Sequence, residues 1–124
     1  MHLLYVDDDR INVMLFEAAC ATLPGVTVTS AGRGAEALAL LAEHRPDLLV
    51  IDLHLPDTDG HVLLADLRAA LALPAVPAFL CSADDGDALR CAAAAAGFSG
   101  CWTKPVDRGL LRRELGALGL LAAS

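Results

Sequence analysis

Five polar residues able to bind a metal ion or a phosphoryl group each stand at the end of an apolar run: Asp7 and Asp8 after "HLLYV", Asp52 closing "DLLVID", Ser82 after "AVPAFLC" and Lys104 after "GCWT". Carboxylates gathered at one rim raise one another's pKa and cost stability unless a cation offsets the repulsion. An all-oxygen donor set with room for several waters suits Mg²⁺ or Mn²⁺ better than Zn²⁺. Lys104 would add a fixed positive charge beside the metal and Ser82 a hydroxyl donor. Metal, lysine and hydroxyl together meet the needs of a phosphoryl group in transfer, whose charge spreads over three equatorial oxygens and whose catalysis is positioning plus charge stabilisation. One carboxylate would be the nucleophile and would become an acyl phosphate.

The elements that must place these groups can be read from the hydropathy pattern. Strands are expected at 2–6, 26–31, 47–52, 75–81 and 100–103, and helices at 11–23, 34–44, 60–72, 87–97 and 107–121. In the first helix, Ile11, Met14, Leu15, Ala18 and Thr22 recur at helical spacing and mark its apolar stripe. Leu38, Leu41 and Ala42 do the same in the second. The run 47–52 is continuously apolar, as in a central strand covered on both faces. Pro77 suits only the start of a strand, and Gly97 suits a helix C-cap. Helices of this length between strands force parallel pairing through right-handed crossovers. Five such units make an open, doubly wound (βα)5 sheet, since a closed eight-unit barrel needs about twice the length. Sites in such sheets form outside the carboxyl ends of the strands, where all five polar residues fall.

The 124 residues fit a single domain spanning 1–124, and 56% hydrophobic residues supply ample core material. Only 4% are aromatic, so Leu, Val and Ala must dominate that core. A net charge of -7 argues against nucleic acid as a direct partner, which would need Lys and Arg stripes. No apolar run reaches membrane-spanning length, and the N-terminus lacks the basic-then-apolar pattern of a secretory signal, so a cytoplasmic protein is expected. Cys20, Cys81, Cys91 and Cys101 form no CxxC pair and read as small apolar residues in a reducing compartment.

Over nearly its whole length the chain resembles the receiver domain of two-component response regulators. The resemblance rests on the "DD" of "YVDDDR", the "D-x-x-L-P-x-x-D-G" running to Gly60, the "CSA" around Ser82 and the "TKP" of 103–105. "LYVDDDRIN" and "LHLPDTDG" look more like receivers that end hybrid kinases, or stand alone, than like those fused to DNA-binding domains. The resemblance implies a flavodoxin-like strand order 2-1-3-4-5. It implies that Asp52 is the phosphoacceptor and that Asp8, Asp52 and the backbone carbonyl of His54 ligate Mg²⁺, with Asp7 acting through water. Ser82 and Lys104 would bind the phosphoryl oxygens, Pro105 would follow a cis peptide, and the rim positions His54 and Asp84 would tune the rate of phosphate loss. The implied donor is a histidine kinase or histidine phosphotransfer protein, and with no output domain in these residues the signal would pass by contact with a further protein. The chain departs from the family at Cys101, where Tyr or Phe is usual. A thiol has far less surface to rearrange than an aromatic ring, so strand 5 should relay little to the face of helix 4, strand 5 and helix 5.

Other residues have plainer expectations. Asp9 and Asp59 read as helix N-caps, and Gly60 as relief of crowding at a helix start. His44 and His61 read as solvated helix residues, and Trp102 as core, facing away from Cys101. Two rival functions fit these residues less well. A haloacid-dehalogenase-type phosphatase also uses Asp, Ser/Thr, Lys and Mg²⁺, but it needs a further acidic pair after the lysine, where only Asp107 and Glu114 remain. A receiver-like adaptor that never carries phosphate usually lacks the equivalent of Asp52 or Lys104, and both are present.

Overall fold

The computed structural model describes residues 1–41, 43, 45–71, 76–82, 92–104 and 106–119. Five strands, β1 (His2–Val6), β2 (Thr27–Ala31), β3 (Leu48–Asp52), β4 (Ala78–Ser82) and β5 (Gly100–Thr103), pair in parallel in the order β2-β1-β3-β4-β5. Between and after them run α1 (Arg10–Ala21), α2 (Gly34–Leu40), α3 (Gly60–Leu71), α4 (described over 92–95) and α5 (Arg108–Ala117). The expected fold class and strand order are both observed.

Alternation along the strands divides the core into two layers. Leu3, Tyr5, Leu48, Val50, Phe79 and Trp102 face α1 and α5, where they meet Phe16, Cys20, Leu111 and Leu115. Leu4, Val6, Leu49, Ile51 and Leu80 face α3 and α4, where they meet Leu63, Leu64, Leu67, Ala93 and Phe98. Trp102 is core, as expected, and Cys101 packs against the opposite layer. Two ring stacks lie in the first layer: Tyr5 on Phe16 and Phe79 on Trp102.

The buried stripe of α1 differs from the expected one. Ile11 and Met14 are each 68% exposed and Leu15 47%, while Phe16, Ala19, Cys20 and Leu23 are buried. Both sets recur at helical spacing; the second packs into the core layer of β1, β3 and α5, with Phe16 stacked on Tyr5. The element ends also differ. α2 stops at Leu40, well short of 44, and Glu43 N–H turns back to the Leu40 carbonyl at 3.1 Å. Pro46 follows closely, and the residue before a proline disfavours the helical region; residues 42 and 44, His44 among them, lie outside those described. β4 begins at Ala78. Pro77 has no N–H to give, but its carbonyl accepts from Leu49 N–H at 3.0 Å. α5 runs to Ala117 rather than 121, with Gly119 at φ +71, and 120–124 are not described. Gly97 caps α4 as expected: its φ is +99 and Phe98 N–H reaches the Ala93 carbonyl at 3.0 Å. His61 is half-buried rather than solvated, set edge-on to Phe98.

Candidate functional site

At the end of β1, Asp7 N–H donates to the Ala31 carbonyl at 3.0 Å, which carries the β1–β2 ladder one residue past the strand. This holds Asp7 in the sheet with its side chain buried. Asp7 Oδ1 accepts Asp9 N–H at 3.0 Å; Oδ2 accepts the Tyr5 hydroxyl at 2.8 Å and lies 2.9 Å from Lys104 Nζ. Asp9 caps α1, its Oδ1 accepting Ile11 N–H at 2.9 Å and Asn12 N–H at 3.4 Å. Asp8 lies between these two and is exposed. The three adjacent aspartates thus have three different environments.

Asp52 closes β3 and is 8% exposed. Its Oδ1 lies 2.9 Å from Lys104 Nζ, so one ammonium bridges Asp7 and Asp52. Lys104 is aimed there by the sheet: its N–H donates to the Ser82 carbonyl at 2.8 Å, extending the β4–β5 ladder beyond β5. Ser82 ends β4, buried, one residue past Cys81, the register partner of Asp52. Carboxylate oxygens of Asp7, Asp8 and Asp52 all lie within 4.8 Å of one another. An open cavity of about 290 Å³ adjoins Asp7 and Asp8, lined also by Val13, Met14, Ser30 and Gly32.

The loop from β3 to α3 folds back against the backbone of Asp52 and Leu53. Gly60 N–H donates to the Leu53 carbonyl at 2.8 Å, and Leu55 N–H to the Thr58 carbonyl at 3.1 Å. A Cβ on Gly60 would stand 2.7 Å from the Asp52 carbonyl oxygen and 3.0 Å from Leu80, so glycine is required for the close approach. Asp59 caps α3 as expected, its Oδ1 accepting Val62 N–H at 2.9 Å. His54 is exposed on this loop.

Burial raises the Asp52 carboxyl above its ordinary value, and the hydrogen bond and charge of Lys104 only partly offset this. Burial works against the charge on Lys104, but its hydrogen bonds to Asp7 and Asp52 prevail and hold it above the ordinary lysine value. Burial pushes the Cys81 and Cys20 thiols up to about 12 and raises the Tyr5 phenol still further, so none of these is a ready nucleophile.

The structure therefore brings Asp7, Asp8, Asp52 and Lys104 together, with Ser82 at the neighbouring strand end and His54 on the loop above. Asp84 and Pro105 lie outside the described residues, as does Cys91. Two participants were not picked out by the sequence reading. Tyr5 lies inside an apolar run, which hides its hydroxyl, although the period of two places it on the same side of β1 as Asp7. Asp57 accepts Gly34 N–H at 2.9 Å and Ala35 N–H at 3.0 Å, so the loop after β3 caps α2, whose own cap position, Arg33, makes no side-chain hydrogen bond. These backbone donors hold the Asp57 carboxyl below its ordinary range. No local pattern signals a cap supplied from more than twenty residues away. Three clustered carboxylates offer the hard oxygen donors that a divalent cation of the Mg²⁺ type takes.

The family model of the response regulator receiver domain matches residues 3–115. The virulence sensor protein BvgS of Bordetella bronchiseptica is 35% identical over 130 residues, covering 99% of this chain and 10% of that protein. The response regulator PleD of Caulobacter vibrioides is 34% identical over 105 residues, covering 85% of this chain and 23% of that protein. The chain thus spans only a fraction of the length of these curated relatives. Among solved structures, a response regulator protein from Burkholderia multivorans superposes with a TM-score of 0.74 at 32% identity, covering 99% of this chain and 98% of that one. The chemotaxis response regulator CheY4 of Vibrio cholerae gives 0.84 at 22% identity over 94% of this chain and 97% of that one, a likeness of fold.

Proposed function

Because this chain belongs to the response regulator receiver domain family, we propose that Asp52 accepts a phosphoryl group from a phosphohistidine on a histidine kinase or histidine phosphotransfer protein, or from a small acyl phosphate. The observation that supports this most is the single ammonium of Lys104 placed 2.9 Å from both Asp52 and Asp7 at the carboxyl ends of the strands. An Asp52 carboxylate oxygen attacks phosphorus. The P–N bond of the phosphohistidine breaks, its electron pair stays on the imidazole, and an aspartyl phosphate remains. Lys104 turns its charge to a phosphoryl oxygen, and Ser82 donates its hydroxyl to another. Asp8, Asp52 and the carbonyl of His54 would hold Mg²⁺ or Mn²⁺, with Asp7 acting through water; the bound cation would neutralise charge on the phosphoryl oxygens.

On this reading the domain catalyses only its own phosphorylation and dephosphorylation. His54 and Asp84 tune the rate of phosphate loss. The output passes by protein contact in the cytoplasm, without direct binding to nucleic acid or membrane. Among the described residues no helix is long and apolar enough to cross a membrane. Position 101 carries a half-buried thiol in place of a ring, so the signal leaves mainly through the loops around the site. Incubation with acetyl phosphate, with and without Mg²⁺, followed by intact mass, tests the proposal. The expected result is one phosphoryl group on the wild type, dependent on Mg²⁺, and none on Asp52→Asn. Stoichiometric labelling of that variant would reject the assignment.

A further inference from the structure

Tyr5 ties the core beneath α1 to the site. Its ring stacks on Phe16, with centroids 4.0 Å apart and planes 6° apart. Its hydroxyl donates to Asp7 Oδ2 at 2.8 Å, the same oxygen that lies 2.9 Å from Lys104 Nζ. The Asp7 side chain has no exposed surface, so bulk water does not reach it. If Lys104 turns toward a phosphoryl oxygen, a buried carboxylate oxygen loses its cation. Leaving such an oxygen without any donor carries the full cost of its desolvation. The Tyr5 hydroxyl is already in place to prevent that.

We propose that Tyr5 is a positioning residue for phosphoryl binding: by donating to Asp7 Oδ2 it keeps that carboxylate hydrogen-bonded when Lys104 moves to the group on Asp52. The role rests on the phosphoacceptor reading above. It assigns Tyr5 no contact with the phosphoryl group and no proton transfer. Its effect is on how readily Lys104 leaves Asp7, and it therefore belongs to the phosphorylated state more than to the metal-bound one.

The test compares Tyr5→Phe, which keeps the ring and its stack, with Phe16→Leu, which removes the stack and keeps the hydroxyl. Each is titrated with Mg²⁺ alone and then, in saturating Mg²⁺, with beryllofluoride, an analogue of the acyl phosphate. The chain's only tryptophan, Trp102, serves as the fluorescent reporter, with amide NMR in parallel. Tyr5→Phe should weaken beryllofluoride binding about tenfold, the worth of a hydrogen bond to a charged group, and change Mg²⁺ affinity less than about threefold. Phe16→Leu should lower the melting temperature and leave the ratio of the two affinities unchanged. Equal beryllofluoride affinity in Tyr5→Phe and wild type would overturn the role of Tyr5 alone. So would a Phe16→Leu variant weakened as much as Tyr5→Phe, because packing would then explain the loss. Failure of the wild type to bind beryllofluoride at all would overturn the phosphoacceptor reading itself.

Discussion

Replacing Lys104 with methionine keeps much of the apolar stem and removes the charge that joins two buried carboxylates. The side chains of Asp7 and Asp52 are 0% and 11% exposed, and that of Lys104 14%. Removing one member of a buried ion pair costs about 3–5 kcal/mol, because the remaining charge is left without compensation. Proton uptake sets a ceiling. Neutralising a carboxyl whose ordinary value is 3.8 costs about 4 kcal/mol near pH 7. The metal-free variant should therefore be less stable by about 3–4 kcal/mol, which lowers the melting temperature by on the order of 10 °C for a domain of this size. Mg²⁺ should restore much of this, since it returns positive charge to the same cluster. Its affinity should exceed that for the wild type, where Lys104 competes for the same oxygens. Urea unfolding of both proteins, in chelator and in Mg²⁺, measures all of these quantities. A metal-free variant within about 1 kcal/mol of wild type, with an unchanged response to Mg²⁺, would refute the reasoning.

Three further outcomes are expected. Mg²⁺ at 100 times its dissociation constant should stabilise the wild type by about 2.7 kcal/mol, and Asp8→Ala should lose most of that gain in a thermal melt while changing metal-free stability little, since Asp8 is exposed. Gly60→Ala should cost about 1–3 kcal/mol through the clash with the Asp52 carbonyl, and should slow labelling by acetyl phosphate even where the domain stays folded, because the loop must shift away from the Asp52 backbone. The Asp57 carboxyl is held below its ordinary 3.8 by the N–H groups of Gly34 and Ala35. Its contribution is therefore complete above that value and is lost as pH falls through the lower, folded one. The stability advantage of wild type over Asp57→Asn, read by urea melts, should be constant near neutral pH and vanish in acid.

The parts of this site that sequence reading recovered are those fixed by short-range pattern. Apolar runs ending in Asp, Ser and Lys locate strand ends, and a parallel sheet sends all such ends to one rim. The caps at Asp9 and Asp59 are local in the same way. What escaped depends on distant partners. α1 carries two apolar stripes, and contacts with other elements, the ring of Tyr5 on Phe16 among them, turn Phe16 inward while Ile11, Met14 and Leu15 face out. Asp57 finds its donors on a different helix. The hydroxyl of Tyr5 shares one oxygen of Asp7 with Lys104, about a hundred residues later in the chain.

The location of the phosphoryl group tests the central claim most directly. The wild type is treated with acetyl phosphate and Mg²⁺, reduced with borohydride, which converts an aspartyl phosphate to homoserine, and digested for peptide sequencing by mass spectrometry. Homoserine at position 52 alone, absent when Mg²⁺ is chelated, is the result expected from the pairing of Asp52 with Lys104. Reduction at Asp7, Asp8 or any other carboxylate instead, or at none, would contradict it.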